Sequence, residues 1–187
     1  MISRIFNIFL SLTALLIFSI PIIIVWILIR MTSKGPAIHW SKRIGKNNEI
    51  FLMPKFRTML IDTPQLPTHL LQNGQSFLTP IGGFLRKSSL DELPQLWSVF
   101  IGDMNLVGPR PALYNQDDLK ELRTTLGIHK LSPGVTGWAQ INGRDELPIP
   151  VKVQFDKEYL ERRSIWLDLK IIFLTVYKVV ARKDISH

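Results

Sequence analysis

From Ile5 to Ile29 the chain carries no charged residue, and at about 1.5 Å of rise per residue a helix over that run exceeds the roughly 30 Å of a bilayer's hydrocarbon. The segment therefore belongs in or on a membrane. It is about twice as long as a signal-peptide h-region and no small-x-small cleavage site follows it, which disfavours a cleaved leader. Length alone allows a spanning helix. Pro21, however, sits near the middle, where it removes a backbone hydrogen bond and kinks the helix, and Ser19 is placed to satisfy a freed carbonyl. Arg4 precedes the run, whereas Arg30, Lys34, Lys42, Arg43 and Lys46 follow it. The positive-inside rule thus puts the C-terminal flank in the cytoplasm and gives the N-terminal flank no strong claim on the outside. A spanning helix and a re-entrant hairpin remain the two alternatives at this point.

The 187 residues suit an anchor plus one compact domain. With 23 Lys+Arg against 15 Asp+Glu, the formal charge of +8 calls for an anionic partner, a description that membrane lipid, nucleotide and nucleic acid all meet. The absence of cysteine excludes disulfides, thiolate metal sites and cysteine nucleophiles. The histidines, His39, His69, His129 and His187, are too scattered for a metal motif.

The stretch Ser88-Ser89-Leu90-Asp91-Glu92-Leu93-Pro94-Gln95-Leu96 sets two adjacent carboxylates between Arg86-Lys87 and a proline. Proline fits the first turn of a helix, so the spacing predicts a helix that begins near Asp91 with both acids at its N-terminus, where the dipole keeps them ionised and phosphate is attracted. Ser89 and Glu92 equally fit a Ser-x-x-Glu capping box, the commoner meaning of that spacing. The same helix carries Leu93, Leu96, Trp97 and Phe100 on an apolar stripe, expected to be core, before Gly102 stops it.

Short strands are predicted around Ile38-His39-Trp40 and Ile50-Phe51-Leu52-Met53, joined by the turn at Gly45-Lys46-Asn47-Asn48. Lys55 and Arg57, two apart, share a face of an extended chain, which suits a phosphate surface or an exposed edge strand. Asp62 to Thr79 is expected to form a loop able to cover a substrate. In Gly108-Pro109-Arg110-Pro111 the prolines preset the backbone that carries Arg110, although a plain Pro-rich turn has the same composition. Pro133 to Arg144 suggests a turn, a short strand and an Asn-Gly turn presenting Arg144. Gln154 to Arg163 is a polar helix. From Ile165 to Lys183 charges interrupt an apolar stretch, which fits either an interfacial helix facing anionic headgroups or an ordinary packed helix.

Taken together, these motifs resemble the bacterial sugar transferases of the monotopic polyprenyl-phosphate phosphoglycosyl transferase family. The resemblance rests on the N-terminal segment with Pro21, Lys55-Phe56-Arg57-Thr58-Met59, Arg86 through Leu96, Gly102-Asp103-Met104, Val107 through Pro111, Pro133 through Arg144, and Leu167-Asp168-Leu169-Lys170, all in the family's order. The family usually has Ser directly before the membrane proline, whereas here Ile20 intervenes. The fold implied is α/β: a small membrane-associated catalytic domain at 34–187, including a C-terminal interfacial amphipathic helix, behind a re-entrant anchor at 1–33. The implied location is the cytoplasmic face of the bacterial inner membrane, in monotopic fashion, with a homodimer left open.

The reaction implied moves a phospho-sugar from a UDP-sugar onto undecaprenyl phosphate with release of UMP, as the first membrane step of surface glycan assembly. By resemblance, Asp91 is the nucleophile that forms an aspartyl phospho-sugar intermediate, and Glu92 holds Mg²⁺, with Mn²⁺ as a substitute. Lys55, Arg86, Arg110 and Arg144 match the family's basic substrate-binding positions, and Asp168 matches an acidic partner expected to orient a cation or the metal site. The segment Asp145 to Pro150 is placed to help select the sugar. The competing class is a non-catalytic, membrane-tethered basic module that binds anionic lipid or nucleic acid. It gives no reason for adjacent acids among the arginines, and no basic stripe interleaved with aromatics marks a nucleic-acid surface.

Overall fold

The computed structural model describes residues 4–63, 74–143 and 147–181. The apolar run forms two helices, α1 (Arg4–Ile17) and α2 (Ser19–Thr32), bent by 60° at their junction. The position of the break follows from Pro21, whose ring excludes the carbonyl four residues earlier, that of Ile17, where α1 ends. Ser19 donates its hydroxyl to the Leu16 carbonyl at 2.7 Å, so the intervening Ile20 does not prevent a serine from serving the break. Each arm has 14 residues, about 21 Å of helix and short of a bilayer's hydrocarbon. Among the described residues no single helix is long and apolar enough to cross a membrane.

The arms are not independent of the rest. On α1 the buried residues are polar, Asn7 at 2% and Ser11 at 0% exposure, while Ile5, Phe9, Leu12 and Leu16 face outward. Asn7 accepts from the Leu106 amide at 3.0 Å and donates to the Asn105 side chain at 3.3 Å, and Arg4 donates to the carbonyls of Val99 and Phe100. On α2, Val25 and Ile29 pack with Ala37, Phe56 and Leu85 in one core cluster. Arg57 then fastens the exit of α2, donating to the Ser33 hydroxyl at 2.8 Å and the Pro36 carbonyl at 2.7 Å.

The predicted hairpin is present: β1 (Ile38–Ile44) pairs antiparallel with β2 (Ile50–Phe56). A 3-10 turn at Lys46–Asn48 joins them, with Asn47 and Asn48 at positive φ, a conformation that asparagine tolerates better than most residues. After α3 (Gly82–Lys87) and α4 (Gln95–Ile101), a short parallel pair forms between β3 (Asn105–Val107) and β4 (Gly134–Thr136). The helices α5 (Asp117–Thr125), α6 (Trp138–Ile141), α7 (Ile149–Arg162) and α8 (Ile165–Val180) complete a mixed α/β domain. Its largest cluster unites Val107, Leu119, Ile128, Ile141, Val153 and Ile171.

Two expectations need correction. The helix expected near Asp91 begins at Gln95, and Leu90–Glu92 form a separate 3-10 turn. Pro94 has no N–H to offer the Leu90 carbonyl, which instead accepts from Leu93 in the tighter i→i+3 pattern. Ser89 makes no side-chain cap, so the capping box is not formed; its backbone adopts the left-handed region at φ 56°. Nor is the whole stripe of α4 core: Leu96 is buried, but Trp97 is about half exposed. Most of the loop expected from Asp62 to Thr79, residues 64–73, lies outside the described residues. Met59, just before it, and Leu78, near its end, form an isolated antiparallel bridge.

Candidate active site

Strand alternation on β2 points Met53 and Lys55 to one face of the hairpin and Pro54 and Phe56 to the other. Lys55 donates to Glu92 Oε1 at 2.8 Å, and Arg110 donates to the same oxygen at 2.9 Å. Residues 37 and 18 positions from Glu92 in sequence thus close on one atom. Burial opposes ionisation of Glu92, but the charges and hydrogen bonds of Arg110 and Lys55 overcome it and hold the carboxyl well below the usual carboxylate range.

Asp91 is 9% exposed on the same 3-10 turn. Burial and the neighbouring Glu92 charge push its pKa up to about 6, against the pull of Lys55, Arg86 and Arg110. Arg86 reaches this position from α3, where its Nε donates to Thr58 Oγ1 at 3.0 Å. The close approach depends on Gly82, where a Cβ would lie 2.1 Å from the Thr58 carbonyl.

Arg110 sits between Pro109 and Pro111, as the sequence suggests, and two further arginines grip its backbone. Arg43 donates to the Pro111 carbonyl at 3.1 Å, and Arg123 donates to the Arg110 carbonyl at 2.9 Å. Arg123 is itself fixed by two bonds to Asp156 Oδ2, at 2.9 and 2.6 Å. Sequence reasoning missed Arg123 and Asp156, because an arginine on a polar helix looks like a solvated charge. The buried Gln95 shares a small recess with Arg43, Lys55 and Arg110, and its Nε2 has no hydrogen-bond partner. The recess is rich in donors, the chemistry that holds an oxyanion.

The other expected residues fall elsewhere. Arg57, expected to share a face with Lys55, is buried and serves the α2 exit. Asp168 is 1% exposed in the helical layer, where the Tyr159 hydroxyl donates to it at 2.7 Å. Burial and Asp168 together push the Tyr159 pKa up, keeping that phenol a donor. Arg144, with Asp145 and Glu146, lies outside the described residues.

Among the described residues no group of three or more His, Cys, Asp or Glu forms a ready metal cage. Mg²⁺ does not require one, since it commonly takes one or two carboxylates and completes its shell with water and substrate phosphate. Lys55 and Arg110 both use Oε1 of Glu92, which leaves Oε2 as a donor of the required kind.

The family model described as bacterial sugar transferase matches residues 1–182. The chain is 37% identical over 185 residues to the UDP-glucose:undecaprenyl-phosphate glucose-1-phosphate transferase of Escherichia coli (strain K12), an alignment covering 95% of this chain and 40% of that protein. It is 35% identical over 197 residues to the undecaprenyl-phosphate galactose phosphotransferase of Salmonella typhimurium, covering 97% of this chain and again 40% of the relative. It is also 37% identical over 187 residues to an uncharacterized sugar transferase of Bacillus subtilis, of which it covers 90%. The chain therefore spans less than half of the two named enzymes and nearly all of the shorter relative.

Proposed function

Because the chain belongs to the bacterial sugar transferase family, we propose that it transfers a phospho-sugar from a UDP-sugar to undecaprenyl phosphate, releasing UMP, as the first membrane step of surface glycan assembly. The observation that carries this reading is the carboxylate pair itself. Asp91 is buried and protonates near pH 6, while Glu92 beside it is held ionised by two cations. A module that merely bound anionic lipid would have no use for a desolvated carboxylate at the centre of its positive charge.

Asp91 is the nucleophile. Its carboxylate oxygen bonds to the sugar-bearing β-phosphorus, the bridging P–O bond breaks, and UMP departs with that electron pair. An oxygen of the acceptor phosphate then attacks the same phosphorus, restoring the Asp91 carboxylate and forming the lipid diphosphate-linked sugar. Neither step needs a proton from the protein. Glu92 positions Lys55 and Arg110, whose cationic side chains bind the diphosphate oxygens together with Arg86, and Arg144 is a further substrate-binding residue by the family resemblance. Mg²⁺ or Mn²⁺ bound at Glu92 supplies neutralisation of the diphosphate charge. Asp168 acts indirectly, seating α8 through Tyr159.

A re-entrant, monotopic anchor is supported by two features. Ile5, Phe9, Leu12 and Leu16 on α1 are exposed while the polar Asn7 and Ser11 are buried against the domain, an inside-out order suited to surrounding lipid. Both ends of the bent pair are clasped by the same domain, Arg4 through Val99 and Phe100, and Ser33 through Arg57. On α8, Trp166, Phe173, Val176 and Tyr177 are exposed while Asp168 and Ile171 are buried, a second apolar face for the interface. In this reading the site lies at the cytoplasmic face of the inner membrane, where UDP-sugar and lipid phosphate meet. The test is a panel of UDP-sugars scored for UMP release with undecaprenyl phosphate in membranes. Release from none of them overturns the proposal.

A further inference from the structure

Gln95 occupies a core position without a core residue's chemistry. Val99, one turn further along α4, packs with Met53 and Met104, whereas Gln95 brings a primary amide to the same side of the helix at 2% exposure. Enclosing an amide costs free energy that hydrogen bonds ordinarily offset. Among the described residues the Gln95 Nε2 has no such partner. A methionine or leucine would fill the place without that cost.

The surroundings define what is missing. Gln95 shares its recess with Arg43, Lys55 and Arg110, together with Met53 and Pro111. Arginine and lysine side chains have no acceptor atom, and a thioether is a weak one. The Pro111 carbonyl accepts from Arg43, and Glu92 Oε1 already takes both Lys55 and Arg110. Every charged side chain that lines the recess is thus a donor, and Nε2 is one more. What completes the set is an oxygen acceptor that carries negative charge and comes from outside the chain. Gln95 also follows Asp91 by one turn, across the 3-10 turn Leu90–Glu92 and Pro94, so this donor and the proposed nucleophile share one short segment.

Resting on the proposed reaction, we propose that Gln95 is a substrate-binding residue whose Nε2 donates to a non-bridging oxygen of the sugar-bearing phosphoryl group, the one attacked by Asp91. Lys55 and Arg110 supply charge there, and the amide adds a directed donor with no further charge. Because its side chain is already enclosed, it is held in place before substrate arrives, the condition under which a donor favours a transition state most. The same oxygen stays on phosphorus through both displacements, so Gln95 serves both half-reactions.

The deciding experiment compares UDP with UMP as ligands of the full chain, with Mg²⁺, in nanodiscs of phosphatidylglycerol and phosphatidylethanolamine that hold no polyprenyl phosphate. UDP places a second phosphoryl group where the sugar-bearing one sits, and UMP lacks it. We expect UDP to raise the thermal midpoint of the wild type more than UMP does. Gln95→Met should lose most of that difference while its shift with UMP is unchanged. Without nucleotide the variant should be no less stable than the wild type, since it removes an unpartnered buried donor. A variant that keeps the full UDP increment, or loses the UMP shift equally, overturns the proposal; the first result together with a lowered midpoint makes Gln95 a structural residue. Gln95→Glu is the second variant, nearly isosteric, set among three cations and lacking the donor. It should lose the UDP increment as well, and a wild-type increment counts against the assignment. These shifts do not depend on turnover, so an active enzyme whose UDP increment ignores residue 95 sinks this assignment and leaves the UMP-release test untouched. Single-turnover rates give a further measure. Gln95→Met should slow both formation of the Asp91 adduct and its discharge to the acceptor, each by at least about tenfold. A loss confined to one of the two steps overturns the shared-oxygen assignment.

Discussion

Asp91 and Glu92 are adjacent in the chain, yet the protein drives their carboxyls in opposite directions, Asp91 up to about 6 by burial and the Glu92 charge, Glu92 well down under Arg110 and Lys55. In the proposed reaction the nucleophile is the deprotonated form of Asp91, so the rate of phospho-sugar adduct formation should be level above about pH 7 and fall about tenfold per unit below pH 6. Rapid-quench measurement of UMP burst against pH checks this. An acid limb near pH 4 would mean that Asp91 is not the group being titrated.

Asp91→Asn should abolish turnover and also stabilise the fold at neutral pH. The unfolded carboxyl ionises near 3.8 and the folded one near 6, so between those values the folded state binds more protons and stability declines as pH rises. The cost is complete above about pH 6, at roughly 1–3 kcal/mol, and disappears below about pH 4. Denaturation of wild type and variant at pH 7.5 and pH 4 measures the difference. Equal stability at pH 7.5 contradicts the burial penalty. Mass spectrometry of wild type given UDP-sugar without acceptor should show a phospho-sugar adduct at residue 91.

Glu92→Gln should reduce activity by at least a hundredfold, since the amide removes the charge that fixes Lys55 and Arg110. It also removes one of the two causes that raise Asp91, so the acid limb of any residual activity should move below pH 6. A limb that stays in place shows that the two carboxyls are not coupled. Wild-type activity should vanish in excess EDTA and return with Mg²⁺ or Mn²⁺; full activity in EDTA removes the metal role from Glu92.

Arg123→Met leaves Asp156 buried without its cation and should cost about 3–5 kcal/mol. The double variant with Asp156→Asn should recover most of that stability but not activity, because the bond from Arg123 to the Arg110 carbonyl is still missing. Denaturation midpoints and KM for UDP-sugar separate the two effects. A double variant with wild-type KM shows that Arg110 needs no such support.

The parts legible in the sequence are those set by local rules. The hairpin follows from a Gly-Lys-Asn-Asn turn between strand-forming runs, and the break at Ile17 from the steric demand of Pro21 four residues on. Lys55, Glu92 and Arg110 were named from their motifs and meet on one oxygen. What was hidden depends on distant partners. Arg57 has the same spacing to Lys55 as a second phosphate ligand would have, and only the position of Ser33 diverts it. Arg123 and Asp156, 33 residues apart, sit on helices whose periodicity marks them as surface. Trp97 follows a core stripe and faces a groove because the bent pair and the hairpin leave space there, a property of packing that no single segment encodes.

The final prediction concerns the anchor. Replacing Pro21 with Leu restores a donor for the Ile17 carbonyl and removes a proline cost of about 3 kcal/mol from a continuous helix, so a straight apolar helix of spanning length becomes accessible. The domain opposes that change by holding α1 through Arg4 and Asn7. Pro21→Leu alone should therefore give mixed topology, and the triple change Arg4→Ala, Asn7→Leu, Pro21→Leu a spanning one. Because the sequence has no cysteine, a cysteine at Ser3 reports the outcome with an impermeant maleimide in intact spheroplasts. The parent reporter should label only after permeabilisation, the single variant in part, and the triple variant fully. Labelling of the parent in intact spheroplasts would replace the re-entrant pair with a spanning anchor.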